Sequence, residues 1–251
     1  MTRRIALITG GGSGIGLAIA HAFSQAGITP VLAGRSKARL EDAAARMEGT
    51  AFVPMDVTDE DSVEKAFKQL KTAGYEPNIL VNNAGSAATA PLEKTDTGTW
   101  QAMLDVNLTG AFLCTRSALP MMKEQGFGRI ITVASTAGLK GYAYTAAYTA
   151  AKHGVIGMTR SLALELAGTG VTANTVCPGF TDTEIVQASV RNIVEKTGRS
   201  EEEALKALTK HNPENRLVTP EEVADAVLWL VSDGASAING QAIAVACGEI
   251  M

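Results

Sequence analysis

A doubly wound α/β domain is the fold class this sequence predicts, and three observations carry the prediction. Short, almost wholly apolar runs recur at 4–9, 30–33, 51–55, 79–82, 129–134, 171–177 and 241–246. Between them lie stretches long enough for a crossover helix, at 15–26, 36–48, 59–73, 99–124, 145–167 and 220–231. A glycine cluster follows the first run directly and opens the first helix. Runs this uniformly apolar belong to strands whose two faces are both covered, which is the arrangement of a parallel sheet between helix layers. The expected architecture is a single domain over 1–251, with a seven-stranded, mostly parallel sheet and helices on both faces.

The first run, Arg4-Ile5-Ala6-Leu7-Ile8-Thr9, ends at a glycine turn, and the helix from Ile15 follows it. Thr58 is read as the start signal of the helix at 59–73. Thr219, followed by Pro220 and two glutamates, is a stronger start for the helix at 220–231, because proline at the first helical position sacrifices only an unpaired N–H. The alternation breaks at 180–218, a long segment with six Lys/Arg and seven Asp/Glu, helical in part and without a field of one sign. Insertions of this kind after a strand commonly serve as lids, so 180–218 is expected to cover the substrate; a solvated helical excursion is the plainer alternative. No repeat, low-complexity tract or Pro/Ser-rich linker divides the chain.

Composition narrows the function. A formal charge of −4 argues against a protein built to neutralise nucleic-acid phosphates. Cys114, Cys177 and Cys247 are far apart and include no CxxC, which speaks against a disulfide framework and a thiolate metal site and favours a reduced, cytoplasmic setting. His21, His153 and His211 are too scattered to suggest a zinc site. The apolar run Ile5 to Ile8 is too short for a signal segment or a membrane span, so no membrane partner is expected.

In Gly10-Gly11-Gly12-Ser13-Gly14-Ile15-Gly16, a strand, a glycine turn and a helix N-terminus together make an anion site. Unpaired N–H groups and the helix dipole there point at a phosphate. The ATP-type loop fails, because Leu17 stands where its lysine belongs. Gly10, Ser13, Gly14, Ile15 and Gly16 are therefore candidate dinucleotide contacts in a Rossmann-type fold. After the second strand, Ala33-Gly34-Arg35-Ser36 offers no acid for a ribose 2′-hydroxyl. Arg35, with Arg39 one turn later, can instead pair with a 2′-phosphate, which favours NADP(H) over NAD(H), although Ser13 adds no charge.

Tyr148 and Lys152 are four residues apart in a helical pattern, so the ammonium lies on the same face as the phenol. A nearby cation favours phenolate and brings a tyrosine closer to useful acid–base work. Ser135, at the end of the fifth strand, can donate a hydrogen bond to a substrate oxygen beside that phenol.

With these residues in view, the sequence resembles the short-chain dehydrogenase/reductase family over essentially its whole length. The likeness rests on Thr9-Gly10-x3-Gly14-x-Gly16, Asp56-Val57, Asn82-Asn83-Ala84-Gly85, Asn107, Ser135, Tyr148-x3-Lys152 and Pro178-Gly179. It implies a catalytic tetrad of Asn107, Ser135, Tyr148 and Lys152. It also implies Asp56 and Val57 at the adenine, Asn83, Ala84 and Gly85 along the cofactor, and Pro178, Gly179 and Thr183 at the nicotinamide. The usual assembly of the family is a homotetramer. Tyr148 would exchange a proton with the substrate oxygen while Ser135 steadies it; Lys152 would bond the nicotinamide ribose and lower the phenol's pKa, and Asn107 would hold a water. The sequence departs from the family at Asn78, where an acid is common, and at Val245-Ala246-Cys247-Gly248-Glu249, which replaces a Val-Asp-Gly-Gly ending and implies altered packing between subunits.

Phe180, Ile185, Val186, Val190, Ile193 and Val194 make the lid apolar, and Tyr142 and Tyr144 fall where the family's pocket wall runs. An apolar substrate is expected, such as an aryl ketone or a 3-oxoacyl thioester. The stretch Asn215 to Glu222 is similar to that of reductases acting on such thioesters, while Thr169 replaces a base common in carrier-protein reductases, which favours coenzyme A thioesters or free ketones. A catalytically idle NADP(H)-binding sensor is the alternative.

Overall fold

The computed structural model describes residues 3–250. All seven predicted strands are present, each within one residue of its expected bounds: β1 Ile5–Thr9, β2 Thr29–Gly34, β3 Ala51–Pro54, β4 Ile79–Asn82, β5 Gly128–Val133, β6 Val171–Pro178 and β7 Ala242–Val245. They pair in parallel throughout, in the order β3-β2-β1-β4-β5-β6-β7. The helices are α1 Gly14–Gln25, α2 Lys37–Ala45, α3 Glu60–Thr72, α4 Thr97–Leu104, α5 Gly110–Gln125, α6 Ala146–Glu165, α7 Glu184–Thr197, α8 Glu201–Thr209 and α9 Pro220–Val231.

The strand period of two sorts the core into two layers. In β1, Ala6 and Ile8 pack with Phe23 of α1, Leu40 of α2 and Val227 of α9. Ile5 and Leu7 face the other way, toward Phe67 of α3, Met122 of α5 and Leu162 of α6. Burying each such side chain contributes about 1.5–3 kcal/mol, which is why both faces must be covered. Because β1 is flanked by β2 on one side and β4 on the other, the chain winds outward in two directions. That reversal opens a crevice at the carboxyl ends of β1 and β4.

Three local expectations need correction. The predicted helix at 99–124 is two helices joined by a π-helical turn, Asp105–Thr109. Its apolar periodicity runs across the joint, so the sequence pattern merges them. Asp59 rather than Thr58 caps α3, its carboxylate accepting from Asp61 N at 3.0 Å and Ser62 N at 3.3 Å. Asn78 supplies the strut expected of an acid. It is buried, accepts from Ile5 N at 3.1 Å and donates to the Arg3 carbonyl at 3.0 Å.

The segment 180–218 is pinched at its neck. Thr181 and Val218 form an isolated parallel bridge, with Val218 N donating to Phe180 O and Asp182 N donating to Val218 O, both at 2.9 Å. Beyond the neck, α7 and α8 have their own apolar cluster, in which Val186, Val190 and Ala204 are buried and Phe180, Ile193, Val194, Leu205 and Leu208 pack against them. Much of the apolar surface expected to line the pocket is thus consumed within this segment, while Ile185 is 48% exposed. Two amphipathic helices without a sheet beneath them bury their apolar faces against each other.

Candidate active site

Thr9 ends β1, and the chain turns through Gly10 at φ 65° and Gly14 at φ 50°, conformations that favour glycine. At Gly16 the constraint is space. A Cβ there would lie 2.4 Å from the Gly10 oxygen and 2.6 Å from Asn83 Nδ2. Ser13 caps α1 without a side-chain bond and no acid lies in the first turn, so the N–H groups of Gly14, Ile15 and Gly16 keep their donor capacity for an anion.

Thr9 proves to be a hub, a role its place in the motif did not reveal. Its hydroxyl donates to Val81 O at 3.3 Å and accepts from Asn83 N and Ala84 N, both at 2.9 Å. The Asn83 amide donates to Thr9 O at 2.9 Å and to Gly10 O at 3.3 Å. The Asn83 side chain therefore braces the glycine loop and is not left to line a cofactor.

Arg35 follows β2 and is exposed. Asp56 follows β3 and accepts from Thr58 N at 3.0 Å and Thr58 Oγ1 at 2.8 Å. Partial burial works against its charge, but these bonds and the nearby Arg35 guanidinium outweigh it, and the carboxyl is held below its ordinary range. Arg35 and Asp56 thus share one end of the crevice. Val57 beside them is buried, and a Cβ on Gly110 would meet its Cγ2 at 2.8 Å. Arg39 is committed elsewhere: Nη1 donates to Glu184 Oε2 of α7 at 3.0 Å, both side chains being exposed.

At the other end, Ser135 caps a short 3-10 turn after β5 and accepts from Ala137 N at 3.1 Å, which leaves its own O–H free to donate. Gly138 lets that turn sit on α6, since a Cβ there would lie 2.7 Å from the Lys152 carbonyl oxygen. Tyr148 and Lys152 lie one turn apart on α6, with Lys152 Nζ 5.6 Å from the Tyr148 ring centroid. The ammonium is buried and donates to Val133 O at 2.9 Å.

Burial pushes the Tyr148 phenol above its ordinary value, while the Ser135 hydroxyl beside it pulls the other way. Burial pushes Lys152 down to about 8. The expectation that the ammonium lowers the phenol's pKa is therefore not met in the protein alone. Both groups have lost water, and each is driven toward its neutral form.

Asn107 lies in the π-helical turn that divides α4 from α5. Its Nδ2 donates to Ser86 O at 2.9 Å and to Met103 O at 3.0 Å, while Oδ1 is buried without a partner. A Cβ on Gly85 would lie 2.8 Å from that oxygen and 3.7 Å from Lys152 Nζ. An acceptor and an ammonium thus converge on a glycine cradle, which suits a ribose hydroxyl or a water. Pro178 ends β6, Gly179 N donates to Val245 O at 3.0 Å, and Thr183 precedes α7 without a side-chain capping bond, its hydroxyl donating to Thr181 O at 3.3 Å. Thr183 reaches across to the glycine loop, its Cγ2 3.3 Å from where a Cβ on Gly14 would be.

The residues expected at the site, Arg39 excepted, thus lie around the carboxyl ends of the strands. An anion site at one end of the crevice and an acid–base group at the other fit a dinucleotide laid between them. Among the described residues no three His, Cys, Asp or Glu side chains gather as a metal site, and no helix is long and apolar enough to cross a membrane. Tyr142 is engaged with Thr136 and Glu249, and Tyr144 is 65% exposed.

Comparison with known proteins agrees with this geometry. Residues 10–249 match the family model described as Enoyl-(Acyl carrier protein) reductase. A D-beta-hydroxybutyrate dehydrogenase of Cupriavidus necator is 38% identical over 242 residues, covering 94% of each chain. A 3-oxoacyl-(acyl-carrier-protein) reductase of Aquifex aeolicus is 37% identical over 247 residues, covering 96% of this chain and 95% of its own. An actinorhodin polyketide ketoreductase variant crystallised with NADPH superposes with a TM-score of 0.94 at 34% identity, covering 98% of this chain and 97% of its own. The chain belongs to the short-chain dehydrogenase/reductase family. It is an NAD(P)(H)-dependent oxidoreductase that interconverts a secondary alcohol and a ketone.

Proposed function

We propose that Asn107, Ser135, Tyr148 and Lys152 run this reaction, that NADP(H) is the preferred cofactor, and that the substrate is an apolar ketone or 3-oxoacyl thioester. The observation that carries the reading is the convergence of the Ser135 hydroxyl, the Tyr148 phenol and the Lys152 ammonium at the end of β5, opposite the glycine loop. A bound nicotinamide supplies or accepts hydride at the carbinol carbon. Tyr148 delivers a proton to the substrate oxygen in reduction and removes it in oxidation, while Ser135 donates to that oxygen and stabilises the charge developing there. The raised pKa of the phenol keeps it protonated at neutral pH, as reduction requires. Lys152, at about 8, is positioned to pass a proton on to a water, and the free Asn107 Oδ1 would accept a hydrogen bond from that water and hold it in place.

Gly10, Ser13, Gly14, Ile15 and Gly16 would cradle the pyrophosphate. Asp56 and Val57 would face the adenine, Asn83, Ala84 and Gly85 the ribose side, and Pro178, Gly179 and Thr183 the nicotinamide. The absence of an acid after β2 and the position of Arg35 beside Asp56 support a 2′-phosphate contact. Relatives named for hydroxybutyrate, 3-oxoacyl and polyketide chemistry support a substrate of acyl type. Three free cysteines fit a reduced, cytoplasmic compartment, and exposed Phe112, Leu164 and Trp229 fit a homotetramer. The segment 180–218, pinched at its neck, is the substrate lid of the single domain.

The cofactor assignment is tested by comparing kcat/KM for NADPH and NADH in wild type and Arg35→Ala. The substitution is expected to lower kcat/KM with NADPH about 10- to 100-fold and to leave NADH nearly unaffected, the loss expected when a charge-assisted contact of about 1.5–3 kcal/mol is removed. Equal losses for the two cofactors would remove the 2′-phosphate contact.

A further inference from the structure

One buried carboxylate near the crevice has no part in the reaction described above. After β7 the chain turns through Cys247 at φ 49°, a left-handed conformation unusual for a residue with a side chain, and brings Glu249 back across the end of β6. The Glu249 side chain is only 2% exposed. Its Oε1 accepts from the Tyr142 hydroxyl at 2.5 Å and pairs with Lys140 Nζ at 3.1 Å. Its Oε2 lies over Gly179, 3.2 Å from where a Cβ would stand. A carboxylate this buried is costly unless it is paired, and removing either partner strands a charge.

The Tyr142 hydroxyl also lies 2.7 Å from Thr136 Oγ1. A phenol has one proton and the carboxylate is the stronger acceptor, so the phenol donates to Glu249 and Thr136 donates to the phenol oxygen. Burial, and after it the bond to Glu249, raise the Tyr142 pKa, which keeps that proton in place. The ring meets Phe180 edge-on, with centroids 6.1 Å apart and planes at 84°. Glu249 therefore joins three segments: the turn that carries Ser135, the root of the lid at Gly179 and Phe180, and the C-terminal tail.

We propose that Glu249 is a positioning residue that determines substrate size: it holds the Tyr142 ring against Phe180 and so closes the cleft on the Ser135 side of Tyr148. The proposal rests on the reading of Ser135 and Tyr148 as the place where the ketone oxygen binds. A ring held at both its hydroxyl and its edge cannot swing aside for a bulky substituent. A ring released from Glu249 can, so loosening this contact selects for larger ketones.

The test is the ratio of kcat/KM for a bulky aryl ketone to that for a small aliphatic ketone, in wild type, Glu249→Ala, Glu249→Gln and Tyr142→Phe. Glu249→Ala is expected to raise the ratio about 10-fold or more, through KM rather than kcat, the scale on which a pocket discriminates substituent size. Glu249→Gln still accepts from Tyr142, and its ratio is expected to stay within about 3-fold of wild type. Tyr142→Phe keeps the ring but loses the bond, and its ratio should move in the same direction as that of Glu249→Ala. An unchanged or lower ratio in Glu249→Ala would overturn the proposal. If that variant does not fold, Tyr142→Phe decides by the same criterion. Calorimetric binding of the two ketones to the enzyme with oxidised NADP reads the ratio without turnover. Normal activity of Tyr148→Phe would thus sink the acid–base assignment and still leave the role of Glu249 decided by binding.

Discussion

Lys152 is the residue whose environment is most at odds with its ordinary chemistry. Buried and bonded to the Val133 carbonyl, it titrates at about 8 instead of 10.5. Between those values the unfolded chain still holds a proton that the folded chain has released, so stability rises with pH through that window. Below it the cost of the buried charge is felt in full, about 3 kcal/mol. Lys152→Met, similar in volume and uncharged, is therefore expected to melt higher than wild type at pH 7, with the gap narrowing by about pH 9.5. Thermal unfolding of both proteins at the two pH values checks this; a gap independent of pH would mean that the ammonium is not desolvated as described. Tyr148, with its raised pKa, keeps its proton across that range and does not confuse the comparison. That Ser135, Tyr148 and Lys152 lie together was legible because few residue types can do acid–base work at helical spacing beside a strand end. Glu249 was not, since its partner Tyr142 is 107 positions away and nothing local marks the pairing.

Among the elements, the strands were the most legible, because in a sheet covered on both faces most runs stay apolar from end to end; β6 is the clearest exception, with Thr172, Asn174 and Thr175 buried within it. The cap of α9 was equally plain: Thr219 accepts from Glu222 N while Glu222 accepts from Thr219 N, a reciprocal box that Thr, Pro and Glu at those positions specify. The π-helical turn at Asn107 was hidden, since a shift of the backbone hydrogen bonds by one residue leaves the apolar pattern intact. The lid's own core was hidden for a related reason: apolar residues in α7 announce burial but not what buries them. The proposed lid also meets α2 through Arg39 and Glu184. Glu184→Gln releases Arg39 toward the crevice and is expected to tighten NADPH relative to NADH about 2- to 5-fold at low ionic strength, a modest effect for an exposed pair. Cofactor fluorescence titrations read the two Kd values. An unchanged ratio would mean that Arg39 does not reach the 2′-phosphate.

For the molecule as a whole, strand order decides where chemistry can happen. The reversal between β1 and β4 opens a single crevice, and residues from 9 to 183 reach it only because every parallel strand delivers its carboxyl end to the same edge. The alternation of runs and helices made that topology readable, but the sequence has no comparable sign for the outer surface. Leu164 on α6 is 81% exposed, and Trp229 on α9 is 46% exposed. If these are assembly contacts, Leu164→Glu should shift the protein from a tetramer toward smaller species in sedimentation velocity; a wild type that sediments as a monomer would remove the tetramer from the picture. The decisive measurement is NADPH oxidation with a panel of ketones and 3-oxoacyl thioesters by wild type and Tyr148→Phe. Turnover by wild type, and a loss of about 10²- to 10⁴-fold in Tyr148→Phe with NADPH affinity preserved, is the expected result for a lost acid–base group. Near-normal turnover in Tyr148→Phe, or no oxidation of NADPH by wild type with any member of the panel, would contradict it.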